Sequence, residues 1–452
     1  MSIQPRVTSE VQVMRNELNE YLRAQFPALK NEFKGQPIAY LDGPGGYQIP
    51  ERVFRAIEDY LINMNANVQG AFITSKRNDE MIKNSRYAFA DFFNCSWDEV
   101  VFGANMTTLN FALSQALMRE MEAGDKVLIT ELDHEGNRGP WEALQDRGII
   151  IEEIEVDVST CTLDMNNYKL KLTPNTKVVA VTAASNAVGT ITDIDRIVAM
   201  AKEIGAYTVV DAVHYAAHKP IDVQKIGTDF LICSVYKSFG PHIGVMYVKK
   251  EVLNKLRPLK VRPQYNYPPY MFETGTLNHE GIAGAAEAVE FVADIGAKFG
   301  NDFQSEKEDL KNRRNRIVAG LQAIASYEEE LTTFLINELC NNCEVKIFGP
   351  PLRHPRTSTV SFTYKGYTAN QLAGYLGDRG LFVWAGDFYA TKLVERLGLR
   401  DMGGLIRIGI APYNTKDELE RLIKAVKDKK SLESFLERGD SESKNEQVHL
   451  QN

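Results

Sequence analysis

The chain has 452 residues, of which 44% are hydrophobic and 25% are charged. This composition is typical of a globular protein, and the length suggests two or three domains. No apolar run is long enough to span a bilayer, and residues 1–18 lack the unbroken apolar stretch of a secretory signal, so we expect a cytoplasmic protein without a membrane partner. The net charge of −8 argues against a nucleic-acid partner and favours small-molecule chemistry.

The predicted elements begin with an amphipathic helix over residues 11–33. We assign residues 1–37 to an N-terminal helical segment that packs with the smaller of two domains. From residue 38 to 295, short apolar strands alternate with helical stretches, which predicts a large α/β domain around a mostly parallel sheet. The clearest predicted strands are Lys126–Ile129, Ile149–Val156, Val178–Thr182, Thr208–Val210, Phe230–Cys233 and Gly244–Val248.

After a proline-rich segment and a predicted helix over residues 281–295, the pattern changes. Residues 296–438 predict a smaller α+β domain, and the polar residues 439–452 predict a disordered tail. The predicted elements of the smaller domain are a charged helical stretch over 303–330, strands at Thr357–Phe362 and Leu405–Ile410, a helix at Ala369–Leu376 and a terminal helix at Lys416–Arg438.

The five cysteines are sparse and resemble no disulfide framework, which fits a reducing compartment. Cys340 and Cys343 form a single Cys-x-x-Cys motif before a predicted strand at Val345–Phe348. A zinc site would need two further ligands, and a thioredoxin-like site would need the motif to open a helix. We therefore expect incidental loop cysteines, with a redox or metal role as the less favoured alternative, and we predict no metal site.

Polar side chains follow four of the predicted strands at the point where each strand ends. Ligands bind outside the carboxyl ends of the strands in open α/β sheets, so we expect these residues to share one crevice. They are Glu131, Asp133 and His134 after the first strand, Ser185 and Asn186 after the third, Asp211 after the fourth, and Ser234, Tyr236 and Lys237 after the fifth.

Asp211 and Lys237 form the pair that a pyridoxal cofactor requires. The lysine amine can form a Schiff base, and the carboxylate can hold the pyridine nitrogen protonated. Taken alone, a strand lysine is more often an edge residue and an aspartate after a strand more often a helix cap. Their order along an α/β chain is more specific, and it predicts a pyridoxal 5'-phosphate site. Ser234 and Tyr236 can donate hydroxyl hydrogen bonds to its phosphate.

Two further segments fit the same cofactor. Asn105, Met106 and Thr107 open a predicted helix and can present backbone N–H groups and the positive helix end to the phosphate. His134 is placed to stack on the cofactor ring, although a loop histidine is more often a polar surface group.

The ordered set of motifs resembles the class V aminotransferase superfamily, and most closely its group II cysteine desulfurase, selenocysteine lyase and isopenicillin N epimerase relatives. The match covers residues 38–430. It implies the pyridoxal-phosphate-dependent transferase fold type I, with a seven-stranded, mostly parallel sheet in the large domain and a smaller α+β C-terminal domain. The segments that carry the resemblance are Ala39–Gly46, Asp133–Trp141, Ser185–Thr190, Val210–His214, Ser234–Lys237, Thr274–Asn278 and Ile406–Arg407.

The resemblance also implies roles for single residues. Lys237 would carry the cofactor, Asp211 would pair with its ring nitrogen, and His134 would stack on its ring. His214 would lie at its phenolic oxygen, where desulfurases usually have glutamine; imidazole can still donate a hydrogen bond there. For the substrate, Arg407 and Asn186 resemble the pair that binds the α-carboxylate, with Gly45 beside them. A planar guanidinium suits bidentate binding of a carboxylate.

The segment that resembles the family's inter-subunit contact is Thr276–His279. In the family this segment reaches the phosphate of the neighbouring subunit. The resemblance therefore implies a homodimer with shared active sites, in which Asn278 and His279 contribute to cofactor binding.

The resemblance breaks at the loop that carries a persulfide-forming cysteine in many desulfurases. The matching stretch, Val383–Ala390, has no cysteine, and Tyr389 stands near the position of the thiol. A phenol with a pKa near ~10 cannot accept sulfur as a thiolate does. Cys340 and Cys343 are a weak substitute. Tyr389, and less surely Asp387, are candidates for a second acid or base, while the alternative is that Tyr389 only packs a lid.

We therefore predict a lyase that cleaves a C–S bond in cysteine or a cysteine-like amino acid without an enzyme persulfide. The enzymatic alternatives are an epimerase or racemase, which is favoured if Tyr389 faces Lys237 across the cofactor, and an aminotransferase. A non-catalytic cofactor-binding partner is a third interpretation, against which the retained Arg407 and Asn186 count.

Overall fold

The structure is a computed structural model that describes residues 9–303 and 310–438. Within these ranges, no helix is both long enough and apolar enough to cross a membrane. The α-helices are α1 Ser9–Arg23, α2 Glu51–Asn63, α3 Ile73–Phe93, α4 Met106–Leu117, α5 Glu135–Glu142, α6 Met165–Lys171, α7 Ile194–Glu203, α8 Val223–Ile226, α9 Lys250–Leu253, α10 His279–Phe303, α11 Arg313–Cys340, α12 Ala369–Gly377, α13 Thr391–Arg396 and α14 Lys416–Lys427. The strands are β1 Glu32–Phe33, β2 Gln36–Pro37, β3 Ala39–Tyr40, β4 Val100–Gly103, β5 Lys126–Thr130, β6 Ile150–Ile154, β7 Val156–Asp157, β8 Thr162–Leu163, β9 Thr176–Thr182, β10 Tyr207–Asp211, β11 Phe230–Ser234, β12 Gly244–Val248, β13 Val345–Phe348, β14 Thr359–Tyr364, β15 Leu381–Phe382, β16 Trp384–Gly386 and β17 Leu405–Gly409.

The large sheet has seven strands in the order β4-β12-β11-β10-β9-β5-β6. Only β12 runs antiparallel to its neighbours, so the predicted seven-stranded, mostly parallel sheet is confirmed. Alternate residues of β5 enter two different apolar clusters: Val127 and Ile129 join one, and Leu128 joins the other. A strand buried on both faces needs such a continuous apolar run, which is why the sequence marks these strands clearly.

The C-terminal part contains a four-stranded antiparallel sheet in the order β13-β14-β17-β16. The short strand β15 pairs in parallel with β3, and Asp42 forms a bridge with Gly409 at the end of β17. Residues 39–46 are therefore fixed against the C-terminal part of the chain, although they lie more than 300 residues before it in sequence. This crossing brings Asp42 to the residues of β17.

The predicted helix over 11–33 is too long. Helix α1 ends at Arg23, and Pro27 begins a short 3-10 helix after Phe26, whose backbone is extended (φ −107°, ψ 96°). A proline disfavours helical geometry at the residue before it and has no N–H to donate, so the helix stops here. The predicted terminal helix is likewise interrupted at Asp428, whose carboxylate accepts from the Ser431 N–H and caps a second helical segment over 429–438.

Two other predicted bounds differ from the structure. The predicted strand over 149–156 is divided into β6 and β7, and the latter forms a small hairpin with β8. Of the charged helical stretch predicted over 303–330, residues 304–309 lie outside the described residues. Helix α11 begins after the capping side chain of Asn312 and runs beyond the predicted end to Cys340. Cys340 is therefore the last residue of a helix rather than a loop residue.

Helix α1 contacts the C-terminal part of the chain. The Asn19 amide donates to the backbone oxygens of Pro412 and Asn414, and Arg23 forms an ion pair with Glu418 at 2.8 Å. The domain bounds themselves stay predictions; the one at 295/296 falls inside α10. Residues 1–8 and the predicted tail at 439–452 lie outside the described residues.

Candidate active site

A small cavity of about 50 Å³ lies at the carboxyl ends of β9, β10 and β11. Nine of the predicted site residues line it, and they come from segments more than 100 residues apart in sequence. The residues that line the cavity are Met106, Thr107, His134, Thr182, Ala184, Asn186, Asp211, Val213, His214, Ser234, Tyr236 and Lys237. The predicted convergence of strand ends on one crevice is thus present.

Lys237 and Asp211 face this cavity from neighbouring parallel strands. Both side chains are buried, with 8% and 5% of their surface exposed. Burial, and then the positive charge of Arg407, lowers the pKa of Lys237 to about 8, although Asp211 opposes the shift. Burial raises the pKa of Asp211 to about 6, against a hydrogen bond from the Val213 N–H at 2.9 Å and the charge of Lys237. The lysine is thus a usable amine near neutral pH.

The N-terminus of α4 forms the opposite end of the cavity. The Met106 N–H donates to the Ser234 Oγ at 2.8 Å, which fixes the start of this 12-residue helix beside β11. Asn105 caps the helix by accepting from the Thr108 N–H at 2.9 Å. Thr107 lines the cavity. A helix N-terminus beside two hydroxyl groups is a suitable binding site for a phosphate.

His134 follows β5 and caps α5. Its Nδ1 accepts from the Gly136 N–H at 2.9 Å, so in the neutral ring the proton lies on Nε2. Burial, and then the charges of Lys237 and Arg407, lowers the pKa of His134 to about 3. The ring is therefore neutral at physiological pH and can lie flat against an aromatic group without a charge.

The carboxylate of Asp133 links two strand ends next to His134 in the chain, a role that the sequence did not reveal. It is fully buried and accepts from the backbone N–H groups of Thr130 at 2.8 Å and Thr182 at 2.6 Å. These bonds tie the ends of β5 and β9 together directly beneath the cavity. Burial raises the pKa of Asp133 to about 7. Its place after an apolar strand is the available sequence signal, but its partners are backbone groups that only the folded sheet brings together.

His214 lies in the cavity wall, and hydroxyl groups of the C-terminal part of the chain hold its ring. Its Nε2 lies 3.0 Å from both Thr357 Oγ1 and Thr359 Oγ1. The ring of His218 lies behind it, with centroids 4.9 Å apart. Burial, and then the charge of His218, lowers the pKa of His214 well below its usual value, so this imidazole is neutral. These contacts fix the position of the His214 ring and use its Nε2, so Nδ1 is the ring atom that remains to bond a ligand.

Arg407 lies on β17 and is buried to 97% of its surface. Its guanidinium donates to Asp42 Oδ1 at 2.6 Å and to the Asn186 backbone oxygen at 3.2 Å. Its Nε is buried and has no hydrogen-bond partner within the described ranges. The sequence did not reveal the role of Asp42. A Cβ at Gly45 would lie 2.0 Å from Asp42 Oδ2, so a larger residue there would displace the Asp42 carboxylate.

The loop of Asp387, Phe388 and Tyr389 covers the cavity from the C-terminal side. The Asn186 amide donates to the Phe388 backbone oxygen at 2.8 Å, and the Glu135 N–H donates to the Tyr389 backbone oxygen at 2.7 Å. Phe388 and Tyr389 have positive φ angles of 59° and 57°, a conformation that bulky residues rarely adopt. The contacts of the loop hold this backbone in place.

The side chain of Tyr389 does not line the cavity with Lys237. Its ring stacks on His134, with centroids 5.5 Å apart and an interplanar angle of 26°, and 70% of its surface is exposed. Asp387 instead supports the loop by accepting from the Tyr389 N–H and the Thr391 hydroxyl, each at 3.0 Å. The phenol is thus placed as a cover over His134.

Asn278 and His279 lie apart from the Lys237 cavity of this chain. Asn278 caps α10 by accepting from the Gly281 N–H at 2.8 Å. His279 is buried, with its Nδ1 3.3 Å from the Tyr60 hydroxyl and 3.0 Å from the Asn78 amide nitrogen. In this chain both residues therefore organise the surface at the start of α10.

None of the five cysteines lines the cavity. Cys340 and Cys343 are exposed, and Cys161 and Cys233 are buried in the core. Burial raises the pKa of Cys161 to about 11, so it is a poor thiolate. Among the described residues, no group of three or more histidine, cysteine or acidic side chains could hold a metal ion.

Comparison with known proteins places this arrangement in a family. The model of the family described as aminotransferase class-V matches residues 39–314 and 316–422. The chain is 29% identical over 425 residues to the cysteine desulfurase of Enterobacter sp. (strain 638), and the alignment covers 90% of this chain and 97% of that protein.

Solved structures agree with the family. The apo structure of the cysteine desulfurase from Thermococcus onnurineus NA1 has a TM-score of 0.80 at 27% identity, covering 90% of this chain and 97% of that one. The Escherichia coli cysteine desulfurase CsdA, in its S-sulfonic acid form, has a TM-score of 0.77 at 25% identity, covering 92% and 98%. These neighbours confirm the predicted fold type I. The chain belongs to the aminotransferase class V family.

Proposed function

We propose that the protein is a pyridoxal-phosphate-dependent lyase that cleaves the C–S bond of cysteine or a cysteine-like amino acid. The observation that carries this proposal is the buried cavity that Lys237 and Asp211 face together. The donor set fits the cofactor: an amine with a lowered pKa, a carboxylate for a ring nitrogen, and a helix N-terminus with Ser234 for a phosphate. When bound, pyridoxal phosphate supplies an electron sink for charge developing at the substrate α-carbon.

The residues of this chain divide the remaining work. Lys237 would hold the cofactor and, once released by the incoming amino acid, accept the α-proton of the substrate, since its pKa of about 8 leaves part of the amine neutral near pH 7. Asp211 would keep the ring nitrogen protonated. His134 would hold the ring from one side, and Arg407 would bind the α-carboxylate. The roles of Tyr236, His214 and Asn105 follow as cofactor contacts.

The proposed reaction needs no enzyme thiol. A cysteine derivative R–S–CH₂–CH(NH₃⁺)–COO⁻ loses its α-proton, the Cβ–S bond breaks, and the electron pair leaves with sulfur, which takes up a proton as R–SH. The resulting enamine hydrolyses with one water to pyruvate and ammonium. The absence of cysteine from the cavity lining supports elimination rather than transfer of sulfur to a protein thiol. The names of the relatives support a sulfur-containing amino acid as the substrate.

The alternative of an epimerase gains no support from the position of Tyr389. A second acid or base for epimerisation should face Lys237 across the cofactor, whereas the Tyr389 ring stacks on His134 and is 70% exposed.

We further propose that the protein is a cytoplasmic homodimer. Large apolar side chains are exposed around the start of α10, where Asn278 and His279 lie. A monomer rarely exposes such a patch, and a second copy packed there would bring these residues towards its cofactor site. Five free cysteines fit a reducing compartment. The exposed apolar residues of this patch are Phe54, Leu61, Ile62, Val68, Phe72, Ile73, Tyr265 and Tyr267.

The reaction is tested by its products. The protein loaded with pyridoxal phosphate is incubated with L-cysteine and S-substituted cysteines, and pyruvate, alanine, sulfide and thiol are measured. We expect pyruvate and thiol in equal amounts. Alanine as the main product would contradict the proposal, because it marks sulfur transfer without elimination.

A cysteine-free variant tests the same proposal at the residue level. Buried Cys161 and Cys233 and partly buried Cys95 are replaced by alanine, and exposed Cys340 and Cys343 by serine. We expect pyruvate formation within about twofold of the wild type, because no thiol takes part. Loss of activity in a variant that still folds and binds cofactor would restore a persulfide mechanism.

A further inference from the structure

A second cavity, of about 420 Å³, is lined in part by Asp42, the carboxylate that accepts a hydrogen bond from Arg407. Its walls include Trp384, Phe382 and Tyr40, and Gly377 leaves one side open because a Cβ there would meet no atom within 4 Å. The volume falls within the roughly 300–1,000 Å³ that is usual for small-molecule sites. Free cysteine, with its single sulfur atom, would leave most of this space empty.

This second cavity adjoins the proposed substrate-binding residues through the hydrogen bond between Arg407 and Asp42. Trp384 on β16 is the direct cross-strand partner of Arg407 on β17, so both side chains emerge on the same face of the sheet. Asp42 lines the second cavity and accepts the 2.6 Å hydrogen bond from Arg407. A carboxylate bound at Arg407 therefore lies beside the indole.

The Lys237 side of the site is also close. A Cβ on Gly46, which lines the second cavity, would lie 3.4 Å from the Tyr236 ring. That ring lies in turn 5.5 Å from Lys237 Nζ. One amino acid can thus reach Lys237 with its α-carbon and the second cavity with its side chain.

The chemistry of the walls selects the side chain. Trp384 is 56% exposed, and within the described part of the chain its indole stacks on no other ring. An exposed indole beside a binding arginine is available for contact with an apolar or aromatic group. Asp42 is the one charged residue in the lining, and it is acidic. The lining holds no cationic side chain to pair with an anionic substituent.

We propose that this second cavity is the leaving-group subsite and that its ligand is an S-alkyl or S-aryl cysteine with an uncharged, apolar substituent on sulfur. Trp384 packs against that substituent and determines specificity. This inference rests on the proposed function for the position of the carboxylate at Arg407. It identifies the sulfur substituent as the part of the substrate that the protein selects.

The test uses carboxylic acids that have no amino group and so do not react with the cofactor. Binding of 3-(benzylthio)propanoic acid and 3-(methylthio)propanoic acid to the loaded protein is measured by calorimetry, and the emission of Trp384 is followed in parallel. We expect the benzyl compound to bind at least about tenfold more tightly, because its ring is buried against the indole. We expect tryptophan emission to change with the benzyl compound alone and the change to be lost in Trp384→Ala, which separates Trp384 from Trp97 and Trp141.

Two variants locate the effect. Trp384→Ala removes the wall, and Gly377→Leu fills the space; each is expected to reduce the benzyl-to-methyl affinity ratio to about two or less. Leu170→Ala, at a distant side chain that is 79% exposed, is expected to leave the ratio unchanged. A ratio near one in the wild type, or a ratio that survives either of the first two substitutions, would overturn the subsite.

The outcome separates the two proposals. Suppose that no cysteine derivative yields pyruvate, but the wild type prefers the benzyl compound and the two variants do not. The proposed reaction then fails and the subsite remains. If pyruvate forms but the ratio is near one, the reaction remains and the subsite fails.

Discussion

The Lys237 cavity and the carboxylate-binding residues around Arg407 differ in where their side chains come from. The residues of the cavity follow the strands of one sheet, so a single element order positions them. Arg407 contacts Asp42, Asn186 and Phe388, so this region combines four segments that are distant in sequence. The first set is positioned by local rules of the α/β fold, and the second only by the packing of the C-terminal part against the large sheet.

The two regions also differ in whether their ligand-binding groups already bond to other parts of the protein. Lys237 and Asp211 face an open cavity. Arg407, by contrast, already binds the carboxylate of Asp42, and the Asn186 amide already binds the backbone of Phe388. A substrate carboxylate must therefore share or displace these internal partners. The comparison indicates a preformed cofactor site beside a substrate site that changes when it binds its ligand.

Replacing Lys237 should have the largest effect. In Lys237→Ala we expect the visible absorption of the bound cofactor to disappear and pyruvate formation to fall by at least about a thousandfold, because both the attachment point and the base are lost. Absorption spectra and a pyruvate assay measure this. Lys177→Ala, at a lysine outside the cavity, is the matched control. A visible cofactor band that survives in Lys237→Ala would break the assignment.

A change at Arg407 should separate the two regions. In Arg407→Lys we expect KM for cysteine derivatives to rise by about a hundredfold, because an ammonium cannot bind a carboxylate in bidentate fashion. The cofactor absorption should be retained. Steady-state kinetics and spectra give both values, and Arg400→Lys at an exposed arginine is the control. If Arg407→Lys lost the cofactor absorption as well as raising KM, the two regions would not be independent.

The pH dependence of cofactor capture should differ from that of a free amine. With a pKa of about 8 for Lys237, its neutral fraction rises about tenfold between pH 7 and pH 9 and then levels off. The rate at which the cofactor-free protein develops the bound spectrum should follow this curve. The same reaction with N-acetyllysine corrects for ionisation of the cofactor. A rate that continues to rise above pH 10 would contradict the lowered pKa.

The smallest effect is expected at Tyr389. Tyr389→Phe keeps the ring that stacks on His134, so we expect activity within about twofold of the wild type. Tyr389→Ala removes the stacked ring and should reduce kcat by about tenfold. Pyruvate kinetics of both variants measure the difference. A large loss in Tyr389→Phe would instead assign acid–base chemistry to the phenol and would revive the epimerase alternative.

The same contrast explains what the sequence could predict. Apolar strands followed by polar residues predicted a mostly parallel sheet and the convergence of His134, Asp211 and Lys237, because strand burial and strand ends are local signals. The count of seven strands came from the family resemblance. The resemblance supplied Arg407 and Asn186. The engagement of Arg407 by Asp42 was not predicted, since these residues are 365 positions apart and meet only in the folded chain.

The backbone conformation of the loop at Phe388 and Tyr389 could not be predicted from the sequence either. Two consecutive aromatic residues with positive φ at Phe388 and Tyr389 contradict local preference, and contacts from Asn186 and Glu135 hold them there. The predicted helix over 11–33 is wrong for a reason that is visible in the sequence: Pro27 lies within it, and a proline disfavours helix continuation even where apolar residues keep helical spacing.

Reduction of the loaded protein with borohydride tests the central claim most directly. The reduced protein is digested, and the peptides are analysed by mass spectrometry. The account predicts one covalently bound pyridoxyl phosphate per chain, on the peptide that contains Lys237. A modified peptide elsewhere in the chain, or none after incubation with excess cofactor, would contradict the assignment of Lys237 and the active site built around it.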